Sequence, residues 1–181
     1  AIEVKGDISG HDCSVLATSA IKGALLATGA EDVTYVNAPN IAEERGLTAT
    51  VTTNAESPEF RSMITLHASF ADGKFVDVHG TLMGIRKVEK IIAIDGFDLD
   101  LPPTSHMLFL RYGDRPGIVG IVGNTLGKAN INIAGMQVAR SSEGGEALMA
   151  ITVDSSIPTE MIALVKKETG SNSVTSVSLL G

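Results

Sequence analysis

The chain has 181 residues, 44% hydrophobic and 19% charged, enough for one large domain or two small ones with packed cores. Its net charge of −7 argues against nucleic acid or an anionic membrane as partner, since both need a basic patch. A single cysteine, Cys13, excludes an internal disulfide and suits a cytoplasmic setting, and no apolar run approaches the length of a membrane span.

The sequence opens on an alternating strand, Ile2 to Ile8, with no Met and no signal peptide, so a piece of a longer chain is expected. A helix follows from about Asp12 to Ala27, capped by Asp12 or Ser14, with Leu16, Ala20, Gly23 and Ala27 as its core face. Pro39 starts a short helix that Gly46 stops. Leu47 to Thr53, Met63 to Phe70 and Phe75 to Leu82 read as strands. A three-residue loop at Asp72-Gly73-Lys74 keeps one face of that hairpin apolar, setting Ala68 opposite Val78 and His67 opposite His79. Ile91 to Ile94 and Phe97 to Leu101 form another hairpin about Asp95-Gly96. Pro102-Pro103 can continue neither helix nor sheet, so a domain boundary is placed there: residues 1–103, α+β with an antiparallel sheet, then 104–181.

The second part reads strand (Met107 to Tyr112), helix (Gly117 to Ala129), strand (Ile131 to Ala139), strand (Ala147 to Val153), helix (Pro158 to Glu168), strand (Val174 to Leu179). That βαββαβ order is the ferredoxin-like arrangement. Its most informative stretch is Tyr112-Gly113-Asp114-Arg115-Pro116-Gly117, where a strand turns into a helix. The first amides of a helix lack internal partners and favour an anion. Asp114 stands beside them and can hold an ammonium group. Opposite charges so close suit a zwitterion, so a small amino acid is the expected ligand.

His67, His79 and Asp77 face solvent rather than a metal in this reading, and no metal site is expected. His11 and His106 have no evident partner, and Cys13 reads as a buried thiol. Gly120, Gly123 and Gly127 lie past the start of their helix, so close helix packing explains them better than phosphate binding.

The βαββαβ order, the Asp114-Arg115-Pro116-Gly117 turn and the run Gly127-Lys128-Ala129-Asn130-Ile131-Asn132-Ile133 resemble an ACT domain, an allosteric module that binds amino acids. Tyr35-Val36-Asn37-Ala38-Pro39, Ala42-Glu43-Glu44-Arg45-Gly46, Glu56-Ser57-Pro58, Arg61-Ser62 and Gly80-Thr81-Leu82 resemble the intervening domain of long-form D-3-phosphoglycerate dehydrogenases. The resemblance implies a regulatory, non-catalytic fragment whose parent enzyme oxidises 3-phosphoglycerate with NAD and is inhibited by L-serine. No Gly-x-Gly-x-x-Gly follows a strand here, so no cofactor is expected in the fragment itself. The implied effector-binding set is Tyr112, Asp114, Arg115, Pro116, Gly117, Ile118 and Asn132, at a seam between the ACT domains of two chains. Lys90 with Arg86 (Lys87 beside them), and Arg61, are the implied anion contacts of the first domain. Two alternatives stay open: the regulatory chain of a bacterial L-serine dehydratase, and an ACT assembly module with an empty cleft.

Overall fold

The computed structural model describes residues 1–179. It forms two compact units, Ala1–Glu89 and a second from Lys90 onward, so the division falls inside a strand.

In the first unit the elements are β1 (Ile2–Gly6), a 3-10 turn (Asp7–Gly10), α1 (Ser14–Ala27), α2 (Ala38–Glu44), β2 (Val51–Asn54), β3 (Ser62–Ser69) and β4 (Phe75–Met83). Strand order is β2-β1-β3-β4. The sheet is antiparallel except at β1 and β2, which pair parallel from Ile2 opposite Val51. Parallel neighbours need a crossover, and the two helices supply it. Ile2, Val4, Leu16, Ala20, Val51 and Ile64 pack together between sheet and helix. Further along α1 the buried stripe runs through Ile21 and Leu25, which pack on Val33 and Ala38. Gly23 and Ala27, expected in the core, are exposed, because the buried stripe runs Leu16, Ala20, Ile21, Leu25. Asp12 accepts the Ser14 amide at 2.9 Å, which holds its carboxyl below the ordinary carboxylate range.

The β3–β4 register differs from the expected one by two residues. Ala68 faces Val76, and His67 faces Asp77 rather than His79, with His67 Nδ1 and Asp77 Oδ1 2.8 Å apart. The loop has three residues, but they are Ala71-Asp72-Gly73, closed by the Phe70 amide donating to the Lys74 carbonyl at 2.9 Å. Gly73 explains the shift. Its φ of +82° belongs at the last loop position, where a glycine completes the turn. Among the described residues, no group of three or more His, Cys, Asp or Glu could hold a metal.

The second unit contains β5 (Val88–Ile94) from Lys90 on, β6 (Phe97–Leu101), β7 (His106–Gly113), α3 (Ile118–Lys128), β8 (Ile133–Arg140), β9 (Glu146–Val153), α4 (Thr159–Thr169) and β10 (Ser173–Ser178). The sheet runs β10-β7-β9-β8, the ferredoxin-like order. Asp95 and Gly96 both take positive φ, as a two-residue hairpin turn requires. Pro158 precedes α4 and Gly170, at φ +60°, ends it. His106 finds a partner across the sheet, its Nδ1 lying 3.2 Å from Ser178 Oγ.

Both faces of this sheet are covered. Leu108, Leu110, Tyr112, Ala147, Met149 and Ile151 pack with Ile118, Val122, Leu126 and Val165 of the two helices. On the other face Phe97, Leu99 and Leu101 pack on Met107, Leu148 and Ala150. The 97–101 strand, read from sequence as part of the first domain, therefore buries its apolar side in the second unit. Every residue of β9 after Glu146 is buried in consequence. Arg111 ties the hairpin down, reaching Asp95 at 3.2 Å and Glu146 at 3.1 Å, and lying over the Phe97 ring.

Gly120, Gly123 and Gly127 do not mark close packing: a Cβ on any of them would meet nothing within 4 Å. The sequence reading is corrected there. Gly123→Ala should raise stability by about 0.5–1 kcal/mol, since alanine loses less backbone freedom on folding. A chemical-denaturation midpoint unchanged or lowered would contradict this.

Candidate functional site

The site grows from the end of β7. Gly113 pairs with Glu146, and the Asp114 amide adds one more rung by donating to the Gly145 carbonyl at 2.8 Å. The chain then turns through Arg115 and Pro116 to Gly117, whose φ of +92° only glycine adopts readily. The Gly117 carbonyl accepts the first α3 bond, from the Ile121 amide at 3.0 Å. The amides of Ile118, Val119 and Gly120 thus precede the helical ladder and carry its positive end.

Asp114 precedes Gly117 by three residues in sequence. Its side chain is 18% exposed, and its Oδ2 accepts from Arg140 Nη1 at 3.3 Å. Tyr112 is buried in the helix-side core. Burial, and next the nearby Asp114 charge, push its phenol above the ordinary 10.0, while Arg140 pulls it down. The folded state thus favours the protonated phenol: the stabilisation is complete below pH 10 and is lost as pH rises through the raised value. Tyr112→Phe should abolish that part of the alkaline loss, so denaturation midpoints of the two proteins should diverge between pH 9 and pH 11. Parallel curves would contradict it.

Arg115 turns elsewhere. Its Nη2 donates to the Thr169 carbonyl at the C-terminal end of α4, where a cation meets the negative end of the helix dipole. Asn132 donates from Nδ2 to Asp154 Oδ2 at 2.6 Å, and its carbonyl accepts the Asp154 amide at 3.3 Å. The register separates it from Asp114. Ile133 faces Val153, whereas Arg140 and Tyr112 both face Ala147. Six residue steps along β9 separate those rows, about 20 Å of strand. Within one chain Tyr112 and Asp114 come together, and Asn132 stands at the other end.

The anion candidates are mostly engaged. Lys90 Nζ lies 2.7 Å from Asp100 Oδ1, and Arg61 Nε lies 2.6 Å from Asp7 Oδ2, which raises the arginine pKa further. Arg86 is exposed in the turn between β4 and β5.

Arg140 is the residue that sequence reading missed. Its signal was long-range: only the β8–β9 register shows that it and Tyr112 flank the same alanine.

Among the described residues no helix is long and apolar enough to cross a membrane. Comparison with known proteins places the chain. The family model for the D-3-phosphoglycerate dehydrogenase intervening domain matches residues 1–95, more than half of the chain, and the ACT domain model matches 106–170. D-3-phosphoglycerate dehydrogenase of Mycobacterium leprae (strain TN) is 36% identical over 180 residues, 99% of this chain and 34% of that protein. The enzymes of that name from Synechocystis and Bacillus subtilis are 34% and 31% identical, over 97% and 99% of this chain and 32% and 33% of theirs. The chain spans about a third of the length of these relatives. It belongs to the D-3-phosphoglycerate dehydrogenase intervening-domain family, with an ACT domain following.

Proposed function

We propose that the chain is the effector-sensing region of a D-3-phosphoglycerate dehydrogenase and that it binds L-serine at a seam between two ACT domains. The observation that carries this reading is the Asp114 carboxylate, largely withdrawn from water and paired with Arg140 in the turn that leads into α3. A carboxylate there holds an α-ammonium, and helix amides receive an α-carboxylate. In this reading 1–103 is the intervening domain and 104–181 the ACT domain. Oxidation of 3-phosphoglycerate with NAD belongs to other parts of a cytoplasmic parent enzyme.

The seam reconciles Asp114 with Asn132. Among the described residues β8 is an edge strand, paired only to β9. A two-fold axis perpendicular to the sheet would pair two such edges antiparallel. A two-fold axis at Met136 then sets Asn132 of the second copy beside Arg140, and so at the Asp114 end of the first. Neither chain alone assembles the set; the pair does. Serine would bias the placement of the two copies and thereby slow the chemistry elsewhere, a coupling between distinct sites. Lys90, Arg86 and Arg61 remain the proposed anion contacts of the intervening domain; in the first and last of these, a neighbouring carboxylate must give way.

Titration calorimetry with L-serine and L-alanine tests the proposal. A saturable heat with serine, and a weaker one with alanine, is expected. No serine-dependent heat at millimolar ligand from a folded dimer would end it.

A further inference from the structure

We propose that Arg140 is a second ligand of the effector's carboxylate, in addition to the first amides of α3, stored on Asp114 until the effector's ammonium displaces it. The inference rests on the reading of Asp114 as an ammonium site, and it names a group on this chain for the other end of the zwitterion.

The placement follows from the sheet. Tyr112, Ala147 and Arg140 form one row across β7, β9 and β8. Tyr112 and Ala147 both pack in the helix-side core, so this row points towards α3 and α4. Neighbouring strands lie about 4.8 Å apart, which puts Arg140 and Tyr112 roughly 10 Å apart across a residue with only a methyl group. The arginine therefore leans over a short floor towards Asp114.

The pair is unequal. The Asp114 side chain is 18% exposed and that of Arg140 is 57% exposed. The carboxylate is fixed at the end of the sheet, and the guanidinium stands at the mouth. The contact is single-pronged, one Nη to one Oδ at 3.3 Å, rather than the two parallel bonds an arginine makes with a carboxylate it is built to hold. Among the described residues the other four guanidinium donors have no bond to make instead, so they can turn to a ligand.

Charge balance then selects the ligand. A zwitterion inserted between the two side chains gives an alternating row: Asp114 carboxylate, ligand ammonium, ligand carboxylate, Arg140 guanidinium. No net charge enters the site, and both resident charges keep a partner. An amine with no carboxylate would expel Arg140 and leave it unpaired. The arrangement thus makes Arg140 the residue that distinguishes an amino acid from a simple amine.

Calorimetry on the full chain tests this with L-serine and ethanolamine, which has the amine and hydroxyl but no carboxylate, against wild type and Arg140→Gln. Wild type should favour serine over ethanolamine at least tenfold. Arg140→Gln should lose about tenfold in serine affinity and hold ethanolamine as well as, or better than, wild type. Arg140→Lys should recover part of the serine loss. Unchanged serine affinity in Arg140→Gln would overturn the role of Arg140 and leave the Asp114 reading intact. So would a variant that binds both ligands more tightly, since Arg140 would then be only a competitor. A wild-type chain that binds neither ligand would remove the Asp114 reading and this inference with it.

Discussion

Asp114→Ala should lower L-serine affinity by about 100-fold while leaving the fold in place. A hydrogen bond between charged groups contributes about 1.5–3 kcal/mol, and every 1.4 kcal/mol is a factor of ten. The upper part of that range applies because the carboxylate is mostly withdrawn from water. The loss is compounded by Arg140, whose guanidinium would then face the incoming ammonium with no carboxylate between them. The protein should remain folded, since the pair is open to solvent on the arginine side and such pairs contribute less than about 1 kcal/mol to stability. Asp114→Asn, which keeps the shape, should show a smaller loss of roughly tenfold, about 1.4 kcal/mol, just under the bottom of that range. Calorimetric affinities for the three proteins, with circular dichroism as the check on folding, decide the matter. An alanine variant that binds serine like wild type would show that the ammonium sits elsewhere.

The largest expected effect on stability lies in the first unit. Gly6 ends β1 with φ 80° and ψ −152°, a region open essentially to glycine alone. A Cβ there would fall 2.2 Å from the Arg61 carbonyl oxygen and 2.9 Å from its carbon. Those are backbone atoms and cannot swing aside. The same carbonyl accepts the Asp7 amide at 2.9 Å, so shifting it also costs a hydrogen bond that joins the 3-10 turn to the residue preceding β3. Conformational strain of about 1–3 kcal/mol and a steric term of similar size put Gly6→Ala near 4 kcal/mol. Urea denaturation should show the first unit losing most of its stability. A midpoint within experimental error of wild type would contradict the close approach.

Much of this fold was legible in the sequence. The second unit reads well because its periods switch cleanly: Met107 to Leu110 as a buried strand, Ile118 to Ala129 as one helix face, Pro158 and Gly170 as punctuation. Phe97, Leu99 and Leu101 were equally clear as one buried side of a strand, yet alternation says only that a side is buried, not which sheet covers it. The β3–β4 register failed for a local reason, the position of one left-handed glycine. The helix glycines failed because composition does not say which side of a helix faces open space.

The candidate site was half legible. Asp114 and the α3 amides follow from a strand running into a helix through Pro-Gly, a purely local signal. Arg115 sits in the same motif, but its guanidinium serves the end of α4, a contact 54 residues away in sequence. Arg140 and Asn132 are separated from Asp114 by hairpin geometry: the strand register places one at its side and the other about 20 Å off. No spacing along the chain reports that difference.

A crystal structure of the chain grown with L-serine bears most directly on the central claim. The expected map places the serine ammonium within hydrogen-bond reach of the Asp114 carboxylate, its own carboxylate towards Arg140, and Asn132 of a second copy alongside. Serine bound anywhere else, or an Asp114–Arg140 contact unbroken in crystals saturated with ligand, would contradict it.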